Sequence, residues 1–185
     1  MSTSTRITLH DYHEMIREGR FEPREEHHVE LIYGEIIPMS PVGPPHCEYL
    51  NRVLDSLYRK VPKKRASVRV QQPIELPALE SEPEPDLVLV RPGSYLGRHP
   101  LPDEVLLLIE VSDTSLARDR GLKADLYASA GIADYRIVNV LDQCIEVRRD
   151  PHDGNYRSIE TFRSGQEARP LALPDAALTL ERLFT

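Results

Sequence analysis

At 185 residues and 21.1 kDa the chain is sized for one domain, with 40% hydrophobic residues for a single packed core and 29% charged residues for its surface. Its net charge of −7 and pI near 5.5 weigh against non-specific coating of nucleic acid, although clustered acids that hold a metal would inflate that negative count. No apolar run approaches a membrane span, residues 1–6 lack the apolar core of a secretion signal, and Cys47 and Cys144 form no metal-type pair, so a cytoplasmic protein with free thiols is expected.

Thr8 reads as the cap of a short amphipathic helix whose Leu9, Tyr12, His13 and Ile16 share a face, with Gly19 after its end. Residues 21–26 make a polar connector, and residues 29–33 and 35–39 read as two strands joined tightly at Gly34. Glu30 alternates with the apolar residues of the first strand, so it points either to solvent or into a cleft. Gly43 and the surrounding prolines break the pattern before a longer helix that starts near His46. Leu50, Val53, Leu54, Leu57, Tyr58 and Val61 repeat at helical spacing and mark its core face. Arg59, Lys60, Lys63, Lys64 and Arg65 gather at its C-terminal end, where they complement the helix dipole; the alternative is a phosphate-contacting patch.

Residues 66–76 alternate as a strand, and the Pro- and Glu-rich residues 77–85 read as a loop with little structure of its own. Residues 85–90 and 105–111 are runs of β-branched residues and leucine, long enough for buried strands and too short for a usual helix. Between them residues 91–102, with Gly93, Gly97 and Pro100, form a loop expected near any cleft. Asp119 then fits the N-cap of a helix through Ala130, with Leu122 and Leu126 on one face and Lys123, Tyr127 and Ala130 on the next. Strands at residues 135–140 and 144–148 flank a turn at 141–143, another strand lies near residues 156–162, and residues 178–184 suggest a short helix.

The two core strands each carry an acid, Asp86 opening the first and Glu110 nearly closing the second. A carboxylate on a buried strand is costly without a compensating partner, and side by side the two would mark one sheet end as a place for a hard divalent cation. Mg²⁺ takes one or two carboxylates, with waters and substrate phosphate completing its oxygen shell, and the Val111 carbonyl would be a third protein oxygen. Such an ion activates water and offsets the charge that develops on a phosphodiester. Lys123, in the early turns of the next helix, could reach the same sheet end to orient that water, and Glu30 could hold a metal-bound water or a second metal. Taken separately these residues have ordinary readings: an acid at a strand end is often exposed, and a helical Lys is usually solvated. His27, His28 and His46 show no metal-ligand spacing, so capping, packing or solvation is their default role, and the two cysteines are expected in the core. There is no Gly-rich phosphate loop and no nucleophile elbow.

In order along the chain, Val29-Glu30-Leu31-Ile32-Tyr33-Gly34-Glu35, Met39-Ser40-Pro41, His46, Gln72-Pro73-Ile74, Pro85-Asp86-Leu87-Val88-Leu89-Val90, Ile109-Glu110-Val111-Ser112 and the spaced set Asp119-Arg120, Lys123, Tyr127-Ala128, Gly131-Ile132 and Tyr135 resemble a bacterial family, the Uma-type restriction-endonuclease-like proteins of the PD-(D/E)XK nuclease superfamily. The resemblance runs from about Thr8 to about Val147. It implies an α/β (α+β) fold, a restriction-endonuclease-like mixed β-sheet flanked by helices, with Asp86 and Glu110 as the metal-binding acids and Glu30 as an additional N-terminal acid. The superfamily's lysine two residues after the second acid is Ser112 here, and the resemblance places that lysine on the following helix, at Lys123. Where the family commonly has Glu-Tyr-Trp this chain has Asp134-Tyr135-Arg136, a position that looks like sheet packing. The expectation is a single-domain Mg²⁺-dependent (or Mn²⁺-dependent) endonuclease acting on DNA, as a homodimer and without membrane contact. The rivals are a silent scaffold on the same fold, which the acidic charge favours, and a hydrolase of a small phosphoester.

Overall fold

The computed structural model of the chain describes residues 6–23 and 28–184. Much of the expected connector (residues 24–26), together with His27, lies outside the described residues. Helix α1 (Leu9–Arg17) is capped by Thr8, whose side chain accepts from the Asp11 N–H. Strands β1 (Val29–Ile32) and β2 (Glu35–Pro38) form a hairpin of their own, turned at Tyr33 and Gly34, both with positive φ as a tight two-residue turn demands. Helix α2 (Pro44–Lys60) begins two residues before His46, with both prolines in its first turn where no N–H is missed.

Six strands make the central sheet in the order β3-β4-β5-β6-β7-β8. They are β3 (Ser67–Val70), β4 (Leu87–Val90), β5 (Val105–Ser112), β6 (Asp134–Asn139), β7 (Cys144–His152) and β8 (Asn155–Phe162). Among the described residues only β5 and β6 run parallel, and the helical segment between them supplies the crossover such a pair needs. That segment is α3 (Leu116–Arg118), a π-helical turn (Asp119–Lys123) and α4 (Ala124–Ser129). The tail adds the short pair β9 (Glu167–Ala168) and β10 (Leu178–Thr179) and then α5 (Leu180–Phe184). One core packs α2, α5 and the tail on one sheet face, where Leu50, Val53 and Leu57 form the buried stripe of α2; the other packs α4 and Ile32 of β1 on the opposite face.

Several expectations change. Tyr58 is 57% exposed, because it lies one residue past the buried Leu57 and so turns to the solvent side of α2, and Cys47 lies on the solvent side of the helix's first turn. The strand expected over residues 66–76 stops at Val70, where Gln71 adopts a positive φ. Residues 81–85 are buried rather than loosely looped: Glu82 exchanges main-chain hydrogen bonds with Leu31, and its carboxylate meets His13 Nε2 at 2.6 Å. The loop at residues 91–102 joins the C-terminal end of β4 to the N-terminal end of β5, so it sits at the sheet end away from Asp86 and Glu110.

Candidate active site

Period-two alternation decides where the two acids point. Leu87 and Leu89 of β4, with Leu107, Ile109 and Val111 of β5, face α2, while Val88, Val90 and Leu108 face α4. Asp86 and Glu110 therefore fall on the α4 side, and the antiparallel register Leu87↔Ile109 sets them opposite each other at one sheet end. They clamp each other's strands: Asp86 N–H donates to Glu110 Oε2 at 3.0 Å, and Val111 N–H donates to Asp86 Oδ2 at 2.8 Å.

The helix after β5 supplies the amine. Its π-helical turn widens the backbone spiral, a feature concentrated at functional sites, and it buries both Asp119 and Lys123 while Leu122 turns outward. Lys123 Nζ donates to Glu30 Oε2 at 2.6 Å and lies 3.5 Å from Glu110 Oε1, which also accepts from Tyr127 Oη at 2.8 Å. Glu30, only 1% exposed, arrives on the separate hairpin; its Oε2 also accepts from Glu84 N–H, and the Arg118 guanidinium lies against its Oε1. The four side chains singled out in the sequence thus meet in one pocket of about 500 Å³, which His46, Asp119 and Arg118 also line.

Asp119 serves as more than a helix cap. Helix α3 starts three residues before it, and its Oδ2 accepts from both Ser112 Oγ and Ser115 Oγ at 2.5 Å. Ser112, in the position two after Glu110, thereby anchors a further acid at the pocket. Arg118 went unnoticed in the sequence, and its only signal was a basic residue one turn before Lys123. His46 showed no ligand spacing in sequence, yet it is buried at the pocket with Nε2 3.0 Å from Asp86 Oδ1.

The charges oppose one another. Burial pushes the Glu110 carboxyl up to about 8; Lys123 and the Asp86 N–H pull it down, while the Asp86 and Asp119 charges add to the rise. Burial likewise raises Asp119 against the hydroxyl bonds of Ser112 and Ser115. Burial works against a charged His46, but its contacts with Asp86 and the Val111 carbonyl outweigh it, so its pKa is raised. Burial keeps Tyr127 protonated far above the ordinary tyrosine range, fixing it as the donor to Glu110.

A divalent ion fits part of this set. The buried repulsion among Asp86, Glu110 and Asp119 is what a cation would relieve, and the Val111 carbonyl is in contact with the His46 ring. Among the described residues no three His, Cys, Asp or Glu side chains converge as an all-side-chain cage. The oxygens of Glu30 are already engaged by Lys123, Arg118 and the Glu84 N–H.

The sequence pattern of the Uma2 family, described as "Putative restriction endonuclease", matches residues 9–181. The chain belongs to the Uma2 family. A crystal structure titled as "a putative nuclease belonging to DUF820", from Anabaena variabilis, has a TM-score of 0.73 against the chain, covering 96% of it and 97% of the other at 16% identity, so the two share a fold. No curated protein is significantly similar. The departure of this Uma2 chain at Arg136 is a buried ion pair: Arg136 is 0% exposed and donates to Asp134 and to the Ala168 carbonyl. Among the described residues no helix is long and apolar enough to cross a membrane.

Proposed function

We propose that the chain is a divalent-metal-dependent endonuclease that hydrolyses phosphodiester bonds, in DNA above all. The observation that carries this reading is the convergence of Lys123 with Glu30, Glu110 and Asp86 at one sheet end, with Lys123 only 4% exposed. Asp86, Glu110 and the Val111 carbonyl would hold Mg²⁺ or Mn²⁺. Such an ion, when bound, supplies charge neutralisation at the phosphate and lowers the pKa of water. Lys123 orients the attacking water and stabilises charge on the phosphoryl oxygens, because its Nζ is pinned by Glu30 and lines the pocket. In this reading Glu30 positions the lysine instead of ligating a metal. Tyr127 fixes Glu110 by donating to Oε1, and Arg118, 29% exposed, offers a second cation to the phosphodiester at the pocket mouth.

The test is incubation of supercoiled and single-stranded DNA with Mg²⁺ or Mn²⁺. The wild type should cleave only with metal, and Asp86→Ala and Lys123→Ala should each lose at least about 10²-fold in rate. Absence of cleavage on every nucleic acid, with no calorimetric uptake of either ion, would refute the reading in favour of a silent scaffold. The acid-rich lining (Glu30, Glu84, Asp86, Glu110, Asp113 and Asp119 against Arg118 and Lys123) favours a second reading, turnover of a small phosphodiester; cleavage of such a substrate with DNA left intact would establish it. A domain of this size reaches one strand of a duplex at a time, so concerted double-strand cutting would take a homodimer, which sedimentation at working concentration checks.

A further inference from the structure

The basic cluster at the end of α2 is left unused by the proposed chemistry, and the fold brings further cations to it. A cleft of about 50 Å³ lies between α2 and the tail, lined by four cations, Arg52, Arg59, Lys60 and Arg182, and by the hydroxyl residues Ser56 and Thr179. Glu48, Asp55 and Glu181 are near in sequence, yet no carboxylate lines it. Two of the cations fasten the tail. Lys60 Nζ donates to the Ala177 carbonyl and lies 3.5 Å from Thr179 Oγ1, while Arg52 donates to Glu48 at 2.8 Å and to the Leu183 carbonyl at 3.1 Å. Arg59 and Arg182 are exposed, and among the described residues neither makes a hydrogen bond or an ion pair.

Complementing the dipole of α2 accounts for neither Arg52, more than two turns before the helix end, nor Arg182, which comes from α5. Like charges so gathered repel one another, and an oxyanion seated among them would offset that repulsion while accepting from guanidinium, ammonium and hydroxyl donors. The cleft is far smaller than the roughly 300–1,000 Å³ of a pocket that encloses a small organic ligand, so it suits one phosphate group and not a whole nucleotide. We infer that this cleft is a phosphate-binding site separate from the candidate active site. Its position favours a backbone phosphate of a nucleic acid as the source. Ser56 lies ten residues along α2 from His46 at the active-site pocket, a rise of about 15 Å, or about four base steps of a duplex. A strand engaged at the pocket can therefore present a second phosphate here. The choice of source rests on the endonuclease reading; the phosphate chemistry of the cleft does not.

The test measures binding of a short labelled DNA duplex by the full chain over a range of KCl concentrations, with a chelator present so that no metal-dependent cleavage intervenes. The double variant Arg59→Gln/Arg182→Gln should bind about 5–10-fold more weakly than the wild type near 0.1 M salt, and its plot of log affinity against log salt should be shallower by about 1. Arg157→Gln/Arg163→Gln removes the same charge from exposed positions on and just after β8, and it should bind like the wild type. Inorganic phosphate should shift the amide resonances of Arg59, Lys60, Thr179 and Arg182 in the wild type, a readout that needs no variant to fold. Those shifts with duplex affinity unchanged in the Arg59/Arg182 variant would keep the phosphate site and assign it to a free phosphate compound. Equal weakening in the Arg157/Arg163 variant, or no phosphate shifts together with no loss of duplex affinity, overturns the inference and leaves the nuclease reading to its own cleavage assay. Weakened duplex binding in a protein that cleaves no nucleic acid would sink the nuclease and keep the site.

Discussion

Glu110→Gln isolates the electrostatic burden of the site. The glutamine keeps the shape of the side chain: its amide oxygen accepts from Asp86 N–H, and the Tyr127 hydroxyl can rotate to accept from its NH₂. What is lost is the titration, together with the attraction to Lys123 Nζ 3.5 Å away. In the folded chain the Glu110 carboxyl is pushed from 4.5 up to about 8, so between those values the native state holds a proton that the unfolded chain has released. Its contribution to stability is full below pH 4.5 and disappears as pH rises through about 8. At about 1.36 kcal/mol per pH unit, the wild type should lose on the order of 3–4 kcal/mol more than Glu110→Gln between pH 5 and pH 8.5. Urea unfolding of both proteins at the two pH values, with a chelator present, measures this as a difference of differences in which titrating groups away from the site cancel. Equal losses in the two proteins, with equal denaturant slopes, would refute the account of Glu110 as a carboxyl protonated by burial. Mn²⁺ added at pH 8.5 should restore wild-type stability and leave the variant nearly unmoved.

The same linkage makes metal uptake below pH 8 release a proton, seen as a binding heat that changes with the ionisation enthalpy of the buffer. Asp134→Ala should cost about 3–5 kcal/mol and lower the melting temperature sharply, because it strands the fully buried Arg136 and removes the acceptor for Arg149 and the Leu171 N–H. Lys123→Arg should fail to support cleavage, since a planar fork does not reproduce a point charge held 2.6 Å from Glu30 and 3.5 Å from Glu110; measurable activity would contradict the pinned-amine account. Gly34→Ala should destabilise by about 1–3 kcal/mol in urea unfolding, because φ is +75° and the added Cβ would come within 3.0 Å of the Ile7 oxygen.

The sheet acids were legible because alternation and β-branched runs carry strand identity in local sequence. The strands read at residues 85–90 and 105–111 are observed at Leu87–Val90 and Val105–Ser112, and their acids land together as the antiparallel register requires. Lys123 was legible from its place in the early turns of the helix after the Glu110 strand, and the resemblance pointed to the same residue. Its inward aim could not follow from regular helical spacing, since that treats the helix as uniform and the π-helical turn at Asp119–Lys123 widens it. Residues 81–85 deceived for a different reason. Pro and Glu are loop formers by composition, but here Glu82 and Glu84 find His13 and His28 from far along the chain, and such pairings leave no local signal. His46 was hidden in the same way, because its neighbour Asp86 is forty residues on.

The hairpin β1–β2 shares no strand ladder with the sheet that bears Asp86 and Glu110. It is fastened to residues 80–84 instead, through Gly34 N–H to the Glu80 carbonyl, Tyr33 N–H to Ser81 Oγ and the Leu31–Glu82 bridge. Lifting that small flap would withdraw the anion from beneath Lys123 while the six-stranded body stayed paired. Competence to cut therefore hangs on a piece outside the six-stranded ladder: amide protons of Leu31 and Gly34 should exchange ahead of those of Leu87 and Ile109.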